Sequence, residues 1–247
     1  NRYLMLHTFE YNYKNLEIIF GESVLYSGKN KSIELKYLNP FHLWSWENTG
    51  SGVNGLNAIL FLSAKYKLKK NSSLHIEILV DDINFHKKNA DYLNRYGFLI
   101  GFNKVGYPFD LSNYWIEYSS VLNQVYQSFH PTHNYLHRNF PIGHYLGNDF
   151  KMIRFHFENL LNNVKTKVAF DLAYIFDGSN GIDSPFKTPW INENGALNPS
   201  YEYPGHPSPP VLRKLEYCIS LEYFFYEKNY LFLSLNGFNQ FFISDDI

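Results

Sequence analysis

Lys167-Val168-Ala169-Phe170-Asp171-Leu172-Ala173-Tyr174-Ile175-Phe176 decides how this chain folds. Val168, Phe170, Leu172, Tyr174 and Phe176 stand on one side of the stretch, and Lys167, Ala169, Asp171 and Ala173 stand on the other. Successive side chains of an extended chain point to opposite faces, so this period predicts a strand with one apolar and one polar face. The pattern recurs. Leu74, Ile76, Ile78 and Val80 alternate with His75, Glu77 and Asp81, while Ile153, Phe155 and Phe157 alternate with Arg154, His156 and Glu158. Leu215, Tyr217, Ile219, Leu221, Tyr223 and Phe225 do so against Lys214, Glu216, Ser220 and Glu222.

A length of 247 residues suits one undivided all-β domain, so residues 1–247 are read as a single β-barrel domain. Aromatic residues make up 19 % of the chain, yet mean hydropathy is only -0.32, because apolar and polar residues are interleaved. This excludes membrane-spanning helices, which need a long uninterrupted apolar run, but not a membrane barrel. The formal net charge of -1 gives no field that would attract nucleic acid. Cys218 is the single cysteine and cannot form an internal disulfide.

Ten strands are predicted: 3–13, 16–25, 56–68, 74–85, 96–107, 114–126, 150–160, 165–176, 211–226 and 230–242. The connections alternate between short ones (14–15, 69–73, 108–113, 161–164, 227–229) and long ones (26–55, 85–95, 127–149, 177–210). A soluble antiparallel sheet with one core face produces the same alternation along its strands. Strict parity of short turns and long loops is instead the habit of outer-membrane barrels. The expected fold is therefore an antiparallel transmembrane β-barrel of a Gram-negative outer membrane, with the long loops extracellular. On this parity the first strand runs inward and the last ends outside, so the chain is expected to be the carboxy-proximal part of a longer barrel. The sequence begins at Asn1 without a signal peptide, in keeping with an upstream segment or a cleaved leader.

Four stretches carry a resemblance: Phe20-Gly21-Glu22-Ser23-Val24-Leu25-Tyr26; Leu38-Asn39-Pro40-Phe41 followed by Trp46-Glu47-Asn48; Asp81-Asp82 closing a strand; and the segment from His137-Arg138-Asn139-Phe140-Pro141 to Asn148-Asp149. In order and spacing they resemble the Wzi-type capsule assembly family of outer-membrane proteins. The resemblance implies a barrel of about eighteen strands and a lectin-like, non-enzymatic role in holding capsular polysaccharide at the surface. The chain departs from the family in its shorter length and in ending without a terminal aromatic.

Candidate glycan-binding residues are Trp44, Trp46 and Glu47 in the first long loop, His133, His137, Arg138, His144 and Tyr145 in the third, and Trp190 in the last. Sugar C–H faces stack on aromatic rings while hydroxyls need polar neighbours, and Arg138 can pair with an acidic sugar. The same side chains could instead pack the loops together at the barrel mouth. His130, His133 and His137 could supply three metal ligands, but no thiolate or helix fixes them, and neither metal nor cofactor is expected. Asp81 and Asp82 are neighbours on one strand and face opposite ways unless a bulge intervenes, so no catalytic residues are assigned. Expected partners are surface or capsular polysaccharide and outer-membrane lipid. The rival reading is an accessory or transport subunit whose partners are other outer-membrane proteins.

Overall fold

A computed structural model describes residues 1–29, 31–39, 41, 43–44, 56–82, 94–161, 165–189, 191, 198, 201–203, 205–226 and 231–243. Ten long strands form one antiparallel sheet: β1 (Arg2–Tyr13), β2 (Leu16–Ser27), β3 (Leu56–Leu68), β4 (Ser72–Asp82), β5 (Arg95–Val105), β6 (Ser112–Val121), β9 (Phe150–Leu161), β10 (Thr166–Asp177), β11 (Leu212–Tyr226) and β12 (Leu231–Ile243). Each pairs with its neighbour in sequence order. A two-stranded hairpin, β7 (Leu136–His137) with β8 (Phe140–Pro141), interrupts the series inside the third long loop. Among the described residues the sheet is open, with β1 and β12 as its edges.

The strands match those the alternation predicts to within two residues, except at the end of β6; the expected strand residues 83–85 and 230 lie outside the described residues. Residues 122–126, expected to extend β6, leave the sheet at Val121. Gln124 and Tyr126 adopt φ of 62° and 70°, a left-handed conformation that no ladder accommodates. Burial of Val125 and Tyr126 against the sheet offsets the cost.

Cross-strand pairing turns the alternation into rows. One row runs Asn12, Glu17, Lys65, His75, Gly101, Glu117, Arg154, Ala173, Glu216, Gln240 across all ten strands. The row displaced by one residue runs Tyr11, Ile18, Ala64, Ile76, Ile100, Tyr118, Ile153, Tyr174, Leu215, Phe241. The first belongs to a polar face, here called inner; the second belongs to an apolar face, here called outer. Gly101 holds its place in the polar row because His75 and Glu117 meet over it, Nε2 to Oε1, at 2.9 Å. A Cβ at Gly101 would lie 2.3 Å from the His75 ring.

Two buried clusters occupy the long-loop end of the wall, one on each face. On the inner face Leu25, Ile59, Val121, Phe150, Met152 and Ile175 pack against Val125, Tyr126, Tyr135 and Ile182 from the loops. On the outer face Val24, Tyr26, Leu56 and Ala58 are covered by Tyr37 and Trp44. Lower down, the outer face carries no such cover among the described residues: Ile76, Ile100 and Ile153 are exposed, and Val168, Phe170 and Leu172 are half-buried.

Candidate functional site

The third long loop folds inward as a plug. Tyr135 is 3 % exposed, and its hydroxyl lies 2.9 Å from the Ser23 carbonyl, 3.0 Å from the Ser23 Oγ and 3.1 Å from the Asn57 carbonyl. Burial drives the pKa of this phenol far above its ordinary value. Asn57 Nδ2 in turn donates to the carbonyl of His133 at 3.2 Å. Gln127 Nε2 reaches the carbonyls of Gly181 and Ser184, both at 3.0 Å, tying the plug to the last long loop. Asp81 sits at a register shift between Val80 and Asp82 and accepts the Tyr126 N–H at 2.8 Å, while Asp82 pairs with Arg95 at 2.7 Å. A bulge thus lets the two neighbouring carboxylates serve different partners, the third long loop and the first residue of β5.

Asp149 is the second tie, with no solvent exposure and φ of 61°. Its carboxylate accepts the Asn180 N–H at 2.9 Å, the Ser208 N–H at 2.9 Å and the Ser208 hydroxyl at 3.2 Å. Burial alone would raise the pKa of this carboxyl, but the neighbouring His206 imidazole and the hydrogen bonds from Ser208 and Asn180 outweigh it and hold the group below the ordinary carboxylate value. His206 Nδ1 stands 3.5 Å from Asp149, and its Nε2 is 2.9 Å from the Ser120 hydroxyl. A serine, histidine and aspartate in series can activate a hydroxyl for attack. Here Ser120 is 5 % exposed and His206 Nδ1 stands too far from Asp149 to be oriented by it, so the series clamps the last loop onto β6.

Below the plug, a cavity of about 350 Å³ opens along the inner face of β9 to β12. Arg154 forks onto Asp171, Nε to Oδ1 at 2.8 Å and Nη2 to Oδ2 at 3.0 Å, and His156 Nδ1 reaches the same Oδ2 at 3.1 Å. Trp115 stacks on His156 at 5.2 Å between ring centres, with the Arg154 guanidinium 5.4 Å from the indole. Gln240 Nε2 donates to Glu216 at 2.7 Å. Tyr145 reaches over this cavity from the plug, 51 % exposed, with its hydroxyl 3.1 Å from Met152 Sδ. Planar polar groups beside half-exposed rings can bind a polyhydroxylated ligand by stacking and hydrogen bonding together.

The predicted binding residues do not gather in one place. His137 and Arg138 project from the β7–β8 hairpin, where Arg138 and Asn139, at φ of 51° and 66°, form a tight two-residue turn. His144 stacks on Phe150 at 4.3 Å, and burial lowers its pKa to about 4. His133 is 4 % exposed, its rings edge-on to His130 at 5.5 Å. Trp44, expected as an accessible stacking surface, is fully buried beneath the first loop on the outer face. The apolar upper wall gains more from covering by a large ring than solvent does, which removes Trp44 from any solvent-facing platform. Trp46, Glu47 and Trp190 lie outside the described residues. Among the described residues no group of three His, Cys, Asp or Glu side chains could hold a metal. In the sequence Arg154, His156, Asp171 and Glu216 stand out only as the polar side of their strands; their convergence with Trp115 and Tyr145 emerges from the register.

No protein-family model matches the chain, and no curated protein matches it at a significant level. Among solved structures, the chain is similar to Wzi of Escherichia coli, described as an outer-membrane protein involved in group 1 capsule assembly and a carbohydrate-binding β-barrel. The TM-score is 0.62 at 16 % sequence identity, over 99 % of this chain and 49 % of that one. The chain thus spans about half the length of that structure. At this identity the likeness is one of fold: an antiparallel sheet of the kind that builds a β-barrel.

Proposed function

We propose that this chain forms part of the wall and mouth of an outer-membrane β-barrel that associates, without catalysis, with capsular or other surface polysaccharide. One observation carries the membrane part: across ten strands the outer row is apolar throughout, while the row one residue away is polar or small throughout. Large aliphatic side chains such as Ile100 and Ile153 are each 48 % exposed on that outer face. Repeated over the whole wall, such exposure is stable where lipid replaces water. The strands are 10 to 15 residues long, enough to cross a bilayer at a tilt.

The polysaccharide part is supported by Arg138 and His137 at an exposed hairpin tip and by Tyr145 over the Arg154–Asp171 cavity. The similarity to a carbohydrate-binding barrel agrees with it at the level of fold. In a glycan array with detergent-purified protein, the double variant Arg138→Ala, Tyr145→Ala is expected to lose its polysaccharide signal while its heat-modifiable gel mobility is unchanged. An undiminished signal sinks the assignment of these residues. A stoichiometric outer-membrane protein that copurifies with a chain that binds no glycan supports the rival reading, an accessory or transport subunit.

A further inference from the structure

The outer face of β1, β2 and β3 changes character at a single row. Toward the long-loop end, Tyr3, Met5, Val24, Tyr26, Leu56 and Ala58 are covered by Tyr37 and Trp44 of the first loop. Tyr37 stacks on Tyr26 at 4.4 Å, and Trp44 meets the His7 ring at 4.2 Å. At the lower margin of this cover the Trp44 backbone N–H donates to Glu22 Oε2 at 2.7 Å, and Glu22 is itself fully buried opposite His7. One row further down the cover ends: Phe9 is 41 % exposed and Phe20 is 37 % exposed. An apolar wall in water has to be buried against protein, whereas the same wall in hydrocarbon needs no cover.

The covering strap is two-sided. Tyr37 and Trp44 face the wall, while Ile33, Leu35, Leu38 and Phe41 are exposed at 59 %, 77 %, 56 % and 85 %. Phe41 reaches down to the bare wall, its ring 6.2 Å from that of Phe9, so the apolar surface of the strap is continuous with that of the strands. Lys29 and Lys36 are exposed on the same strap. Apolar side chains flanked by lysines, lying flat on a surface, are the composition of an interfacial membrane element.

We infer that the strap between Gly28 and Trp44 is a lipid-binding element at the outer membrane boundary. Phe41 sinks among acyl chains, while Leu35 and Leu38 lie higher, in the headgroup layer, with Lys29 and Lys36 at the level of the lipid phosphates. The buried His7–Glu22 row marks the height on the wall where hydrocarbon gives way to the headgroup layer. The inference rests on the membrane reading above.

The test uses the full chain with Cys218→Ser and one new cysteine at a time, Phe41→Cys or Ile100→Cys, each carrying a nitroxide label. Both positions are exposed, so the label displaces no core side chain, and Ile100 lies midway along β5. In vesicles of phosphatidylethanolamine and phosphatidylglycerol, oxygen is expected to relax the labels at 100 and 41 more than a water-soluble nickel chelate does. Position 100 should be the deeper. A label at 41 more accessible to nickel, with 100 in lipid, overturns the strap inference and leaves the barrel standing. A label at 41 shielded from both reagents also overturns it, since protein then covers the strap. A label at 100 more accessible to nickel overturns both readings.

Discussion

Take the row through Glu117, Arg154 and Glu216 beside the row through Tyr118, Ile153 and Leu215. They differ by one residue in each strand and share the same backbone, yet one is held by charge-assisted hydrogen bonds and the other makes its contacts only through dispersion and solvent. Because the side-chain period is two, a slip of β9 by one residue would bring Ile153 into the polar cavity and Arg154 onto the apolar face, and each other strand is held by the same rule. Ten strands in one register are therefore fixed twice, once by each face.

The largest expected effect comes from breaking the apolar row. Ile100→Arg places a guanidinium midway along the outer side of β5 and should destabilise the protein by about 2–4 kcal/mol in lipid vesicles. Denaturant unfolding in vesicles measures it; a change within a few tenths of a kcal/mol would mean that water already bathes this face.

Asp149→Asn comes next. The substitution removes the charge that binds Ser208 and Asn180, at a cost of about 1–3 kcal/mol, concentrated in the loops. Hydrogen exchange of residues 178–189 and 205–210 should quicken while that of β9 and β10 holds. Acidification should act in the same direction. The Asp149 pKa is depressed in the folded state, so its stabilisation is present above the unfolded value and lost as pH falls through the folded one. The His144 pKa is lowered to about 4, so its contribution is lost as pH falls from the ordinary histidine range towards that value. Protection factors in residues 122–149, referenced to the intrinsic exchange rate at each pH, that stay constant between neutrality and pH 4 would contradict this account.

Within the polar face, Asp171→Ala leaves Arg154 and His156 without their shared acceptor and should cost about 1–2 kcal/mol, since the pair is only partly buried. The smallest effect is expected from Gly101→Ala. The added methyl meets the tip of the His75 ring, which can swing aside, and the Glu117 Cγ, which has to shift with it, so a loss of about 1 kcal/mol is expected in the same unfolding assay.

Strand order, parity of connections and the identity of each face were legible because their signals are local. Ile153, Arg154 and Phe155 declare opposite faces by adjacency, and turns such as Lys70-Asn71 are short enough to force neighbouring strands to pair. Two exceptions have local causes. Val125 and Tyr126 continue the apolar alternation of β6 but are turned off the sheet by positive φ at Gln124 and Tyr126. Asp81 and Asp82 look like a strand end, and a bulge gives them separate partners. The loop residues were not legible in this way. Trp44 and Tyr145 have similar surroundings in sequence, yet Trp44 is buried on the outer face and Tyr145 overhangs the inner cavity.

The amino-acid sequence by itself determined an antiparallel meander with one oily and one polar face, since period-two patterning and tight turns act over a few residues. Only the tertiary structure decided which loop covers which face and which lumen side chains meet. Those outcomes depend on contacts such as Tyr135 to Ser23, 112 residues apart, for which the chain carries no local period.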